Sequence, residues 1–92
     1  MRIFGYKESE VIEFGNSYAN LLLTARNFLN ADDEARHLDK DNSEELVQLA
    51  EITASHLRDY KKRVPERLRE RWETTAPIDL RKLEERLRQF LR

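Results

Sequence analysis

VIEFGNSYANLLLTARNFLN, residues 11–30, is the stretch that decides the fold. Its apolar and small residues Val11, Gly15, Tyr18, Leu22, Ala25 and Leu29 follow a 4-3-4-3-4 spacing, which is one stripe of a helix. Phe14, Leu21 and Phe28 recur every seven residues beside it, and Ile12, Ala19 and Leu23 widen the apolar surface. What stays polar is the seam Glu13, Ser17, Asn20, Thr24 and Asn27. A helix that is apolar over more than half its circumference has to be covered from more than one side. The stretch is therefore either the central helix of a bundle or a helix shared with a second chain.

The rest of the composition agrees with a helical protein. Charged residues make up 38% of the chain, and the 92 residues include only two Gly and two Pro. Sheets need more turn residues and more β-branched side chains than this. The length suits one helical domain, 1–92, with one modest core. With no Cys, disulfides, thiol catalysis and thiolate metal sites all drop out. The first residues, MRIFGYKESE, lack the apolar run of a signal peptide, and nothing approaches the ~20 apolar residues of a membrane span. The expectation is a cytoplasmic protein without a membrane partner.

A net charge of −1 conceals an asymmetry. Residues 1–57 hold five Lys/Arg and eleven Asp/Glu, whereas residues 58–92 hold twelve and seven. Such polarity bears on association and orientation rather than on fold.

Outward from the opening stretch, residues 1–6 read as an extended lead-in whose Ile3 and Phe4 pack on the bundle. Ser9 is the expected N-cap of a first helix over about 8–30, with Glu8 and Glu10 favouring its N-terminal dipole. Asp32 or Asp33 then caps a short piece over 32–38, although the spacing of Phe28, Ala31, Ala35 and Leu38 also permits the first helix to continue. Asn42 with Glu45 forms a capping-box pattern ahead of a helix over 43–64, whose stripe is Leu46, Ala50, Thr53, Leu57, Tyr60 and Val64. Pro65 ends that helix and suits the start of a short one over 66–75. Asp79 caps a last helix over 78–91, striped by Leu80, Leu83 and Leu87. Connections this short favour antiparallel neighbours. The expected architecture is an all-α, compact, antiparallel three- to four-helix bundle.

Catalytic and metal-binding patterns are weak. Glu34 and His37 have the Glu-x-x-His spacing of bundle di-iron sites, but those sites need two such motifs and Thr53 stands three residues before His56. Asp39, Asp41 and Ser43 imitate the start of a calcium loop, which then fails at Glu44 and Ala50. The serines lack elbow-like glycine framing, and no glycine-rich phosphate loop exists. No enzyme activity and no cofactor is expected.

Two surfaces remain. The apolar excess of the first helix points to a protein partner, with the chain itself, as a homodimer, among the candidates. Phe14, Tyr18, Leu21 and Phe28 are the expected interface. The acidic stretch 32–45 and the basic stretch 58–72 supply complementary charge for orientation. The alternative is a nucleic-acid-associated regulator that uses Arg58, Lys61, Lys62, Arg63, Arg67 and Arg71, with Tyr60 and Trp72 interleaved as stacking platforms. The expected function is a small regulatory, adaptor or inhibitor-like interaction module acting through helix faces.

Overall fold

Residues 8 to 38 form one uninterrupted helix. The computed structural model describes residues 2–3, 5–38 and 43–91, excluding the side chains of Arg2, Ile3 and Ser43. Helix α1 (Glu8–Leu38) overrides the break expected near Asn30 and absorbs the short piece expected over 32–38. Asp32, read from sequence as the cap of a new helix, is 2% exposed. Its carboxylate accepts hydrogen bonds from Arg36 Nε, one turn on, and from Arg86 Nη1, each at 3.2 Å. A partner 54 positions away in the chain outweighs the local preference of Asp for a cap. With no Gly or Pro between 16 and 64, no strong helix breaker stands near Asn30.

The lead-in is a hairpin of two short strands, β1 (Arg2–Ile3) and β2 (Tyr6–Lys7), paired antiparallel. Gly5 lies between them at φ 85°, a conformation that side chains with a Cβ adopt at a cost. Because β2 runs straight into α1, Ser9 is already inside the helix and is not its cap. Tyr6 meets the Phe14 ring edge-on, centroids 5.6 Å apart, so the hairpin packs on the bundle. The expected packing of Ile3 and Phe4, and the Asn42 cap, fall outside the described side chains.

Helix α2 (Ser43–Arg63) returns along α1, since Ser17 pairs with Asp59 and Thr53 with Thr24. Pro65 ends it as expected, and α3 (Glu66–Thr74) follows. The Val64 carbonyl beside this break accepts from Arg69 Nε at 3.1 Å, so the corner leaves no orphan there. Helix α4 (Leu80–Phe90) starts at its expected cap: the Asp79 carboxylate accepts from the backbone N–H groups of Arg81 and Lys82. Residue numbers rise together where α4 meets α1 (Arg86 with Asp32, Gln89 with Arg36), so these two run parallel. The result is an up-down-up bundle of α1, α2 and α4, with α3 as the corner piece.

The core forms where these three meet, with Leu68 of α3 added to it. Leu21, Ala25, Phe28, Ala50, Tyr60, Leu68 and Leu83 are each at most 1% exposed. Each large member contributes about 1.5–3 kcal/mol by leaving water. Alanines at positions 25, 50 and 54 let α1 and α2 approach closely. The bundle measures 51 × 21 × 19 Å, and α1, ~46 Å long at 1.5 Å per residue, sets the long dimension. None of its helices is long and apolar enough to cross a membrane, among the described residues.

Candidate interaction surface

The residues expected to meet a partner are mostly inside. Phe14, Leu21 and Phe28 are 8%, 0% and 0% exposed, packed in the chain's own core. Tyr18 is half-buried in an aromatic stack, 5.3 Å from both the Tyr60 and Trp72 rings. Its hydroxyl donates to the Trp72 carbonyl, and that of Tyr60 donates to Glu73. Burial, with the Glu73 carboxylate second, pushes both phenols above their ordinary pKa. The chain's own elements thus cover much of the stripe that looked surplus: Tyr6 of the hairpin meets Phe14, α2 and α3 hold Tyr18, and Phe90 of α4 meets Phe28.

The basic stretch is likewise engaged with the protein itself. Arg58, Lys61, Lys62 and Arg63 are exposed on α2, and Arg67 and Arg71 on α3. Lys61 pairs with Glu84 and Arg63 with Asp59. The Ser17 hydroxyl, and after it Arg63, hold the Asp59 carboxyl below the usual carboxylate range. Tyr60, 0% exposed, and Trp72, stacked on Tyr18, are not free to stack on bases. Positive charge remains, but the aromatic half of the nucleic-acid pattern is spent.

A different surface stands out on α1. Between residues 11 and 31 nine positions are exposed: Ile12, Glu13, Asn16, Ala19, Asn20, Leu23, Arg26, Asn27 and Asn30. Only two of them carry charge. On α2 seven of the ten exposed described side chains are charged, and on α4 four of five. At ~100° per residue the nine cover one face about 140° wide with Leu23 at its centre. Arg26 and Glu13 mark the two edges, so the middle carries no charge at all. Leu23 is 62% exposed and Ile12 58%.

Beyond the Arg26 edge the apolar surface continues into an open groove of about 740 Å³. Leu22, Leu29, Pro77 and Ile78 line it together with the α1 face. Asp33 at its rim is held by Arg86 Nη1 at 2.7 Å, and this contact raises the Arg86 pKa further. A second groove, about 220 Å³ between α2 and α4, is bridged by the Lys61–Glu84 pair.

The chain matches no family model, no curated protein and no solved structure.

What remains is the chemistry of the surfaces themselves. Among the described residues no group of three or more acidic or histidine side chains is placed to hold a metal ion. His37 is exposed near the end of α1, and His56 is half-buried on α2 close to Asp59. The polar seam read from sequence divides: Ser17 is buried against Asp59, Thr24 donates to its own helix, and Asn20 and Asn27 face outward. The signal that finds the α1 face is available in sequence, since residues 11–31 include only two charged residues in a chain that is 38% charged.

Proposed function

We propose that this chain is a non-enzymatic protein-interaction module that receives a partner on the outer face of α1, as a small regulatory or adaptor protein does. One observation carries the reading: the middle of that face is uncharged and partly apolar, while the exposed surfaces of α2 and α4 are mostly charged. Interface centres are depleted of charged residues and rimmed by polar ones. Keeping Ile12 and Leu23 more than half exposed brings the folded chain no burial energy, and a docked partner supplies it. The adjoining groove adds aliphatic surface at Leu22, Leu29 and Ile78.

The groove also supports a binding rather than a catalytic role. Among the described residues its only ionisable lining groups are Arg26 and Asp33, and Asp33 is already paired with Arg86. General acid–base work needs a titratable group within hydrogen-bond reach of a bound substrate.

A photo-cross-linking amino acid placed at position 23, in the cells that make this protein, tests the reading. Position 23 is expected to give covalent adducts, with itself or with another protein, that the same residue at exposed position 55 does not give. If position 23 yields no adduct of either kind, the face is not an interface.

A further inference from the structure

We propose that the groove between α2 and α4 binds a small amphiphilic anion, a carboxylate carried on a straight alkyl chain. The site is separate from the α1 face and does not depend on the reading of that face.

The groove has an apolar floor. Ala54 and Leu57 of α2 and Leu87 of α4 are buried along it, and Leu91, half-buried, closes one end. Helices α2 and α4 run antiparallel, because α2 returns along α1 while α4 runs with it. Counted from the Lys61–Glu84 pair, Arg58 then stands level with Leu87, and Arg88 with Leu57. Each wall thus carries an exposed arginine beside a leucine of the floor.

The charges around that floor do not balance. Arg58, Lys61 and Arg88 line the groove, with Glu84 as its acid. Glu84 gives Oε1 to Lys61, and Arg88 comes no closer to Oε2 than 3.7 Å. Arg58 has no ion pair or hydrogen bond among the described residues. Like charges on the two walls of one groove repel, and an anion seated between them turns repulsion into attraction. A groove lined by one sign of charge over apolar walls also concentrates ions of the other sign.

The two halves of the site select one ligand chemistry. An inorganic anion would meet the arginines and leave the floor wet; a hydrocarbon would cover the floor and leave the arginines unpaired. A carboxylate on an alkyl chain does both, accepting from the guanidinium groups while its chain lies toward Ala54 and Leu91. The volume of about 220 Å³ sets the length. At ~30 Å³ per group it holds roughly seven, a carboxylate with a chain of about five carbons.

Hexanoate titrated into the isotope-labelled chain is the test. Saturable amide shifts are expected within 54–61 and 84–91, with a Kd of about 1 mM, which suits so small a ligand. Hexylammonium keeps the chain and reverses the charge; acetate and inorganic phosphate keep the charge and lose the chain. All three should bind at least roughly ten-fold more weakly. Arg58→Gln and Arg88→Gln, at exposed positions, should keep the helical circular dichroism of the parent. Each should weaken hexanoate by roughly three- to five-fold, and the double variant by about ten-fold or more.

No saturable shift in the groove up to about 10 mM hexanoate overturns the site. Hexylammonium that binds as tightly as hexanoate overturns the role of the arginines, as does a double variant that binds like the parent. Acetate or phosphate that matches hexanoate overturns the apolar floor, and the proposal with it.

Discussion

Removing the buried anion should cost this protein less than removing its cationic partner. Asp32 is 2% exposed, while Arg86 and Arg36 are 33% and 55% exposed. In Asp32→Ala two charge-assisted hydrogen bonds of 3.2 Å disappear. Arg86 keeps Asp33 at 2.7 Å, Arg36 keeps Gln89 at 2.8 Å, and both reach water. The carboxylate's own desolvation cost is relieved in the same step. The net loss is about 1–2 kcal/mol, less than two intact charge-assisted bonds suggest. In Arg86→Ala the carboxylate stays buried and loses the donor to Oδ2. An uncompensated buried charge of this kind costs about 3–5 kcal/mol when partnerless, and about 2–4 kcal/mol with Arg36 still in place. The double variant should then resemble Asp32→Ala rather than the sum of the two. Urea unfolding at pH 7, followed by the fluorescence of Trp72, the chain's one tryptophan, separates them. The melting temperatures should differ by roughly 4–8 °C, with Arg86→Ala the lower. If Asp32→Ala is as damaging as Arg86→Ala, the pair is a net source of stability and this reasoning is wrong.

Two further outcomes test the fold. Ala31→Pro should cost ~3 kcal/mol, because residue 31 lies inside α1; a variant as stable as the parent in urea would restore the helix break at Asn30. The second concerns Tyr60, 0% exposed, whose folded-state pKa is raised by burial and by Glu73. Its contribution is fully present below the unfolded value near 10. As pH climbs above that value the unfolded chain releases a proton that the folded chain retains, and stability falls by about 1.4 kcal/mol per pH unit. Urea midpoints at pH 9, 10 and 11 should fall less steeply in Tyr60→Phe than in the parent; equal slopes would count against the buried phenol.

The elements legible in the sequence were those with local signals strong enough to stand alone. Pro65 ends α2, Asp79 caps α4, and both hold in the structure because no distant contact opposes them. Asp32 misled because it has the chemistry of a cap and the fate of a buried acid, and only the position of Arg86 decides between the two. Ser9 misled for a related reason: the hairpin delivers the chain into α1 at Glu8, two residues before a Ser9 cap would start it. The interface residues misled differently. Phe14, Leu21 and Phe28 sit on the apolar stripe of α1, and periodicity does not say whether a chain's own helices or a partner's will cover it. Leu23 and Ile12 were noticed only as extra width. Their meaning came from knowing which side α2 and α4 take, and then from how little charge surrounds them.

The polar grip on the far end of α1 has a consequence for how the helix comes apart. From Phe14 to Phe28 five side chains are buried, four of them apolar; beyond Phe28 only Asp32 and Ala35 are. Leu38, near the tip, is half exposed. Opening energies within a folded chain follow such local density, so the turns beyond Phe28 should open more readily than the middle of the helix, as the slack end of a zipper does. What holds those teeth is the Asp32–Arg86–Asp33 network, and because Asp32 is buried, added salt screens its part of that grip only weakly. In amide hydrogen exchange this is a gradient along one continuous helix, steepest just past Phe28.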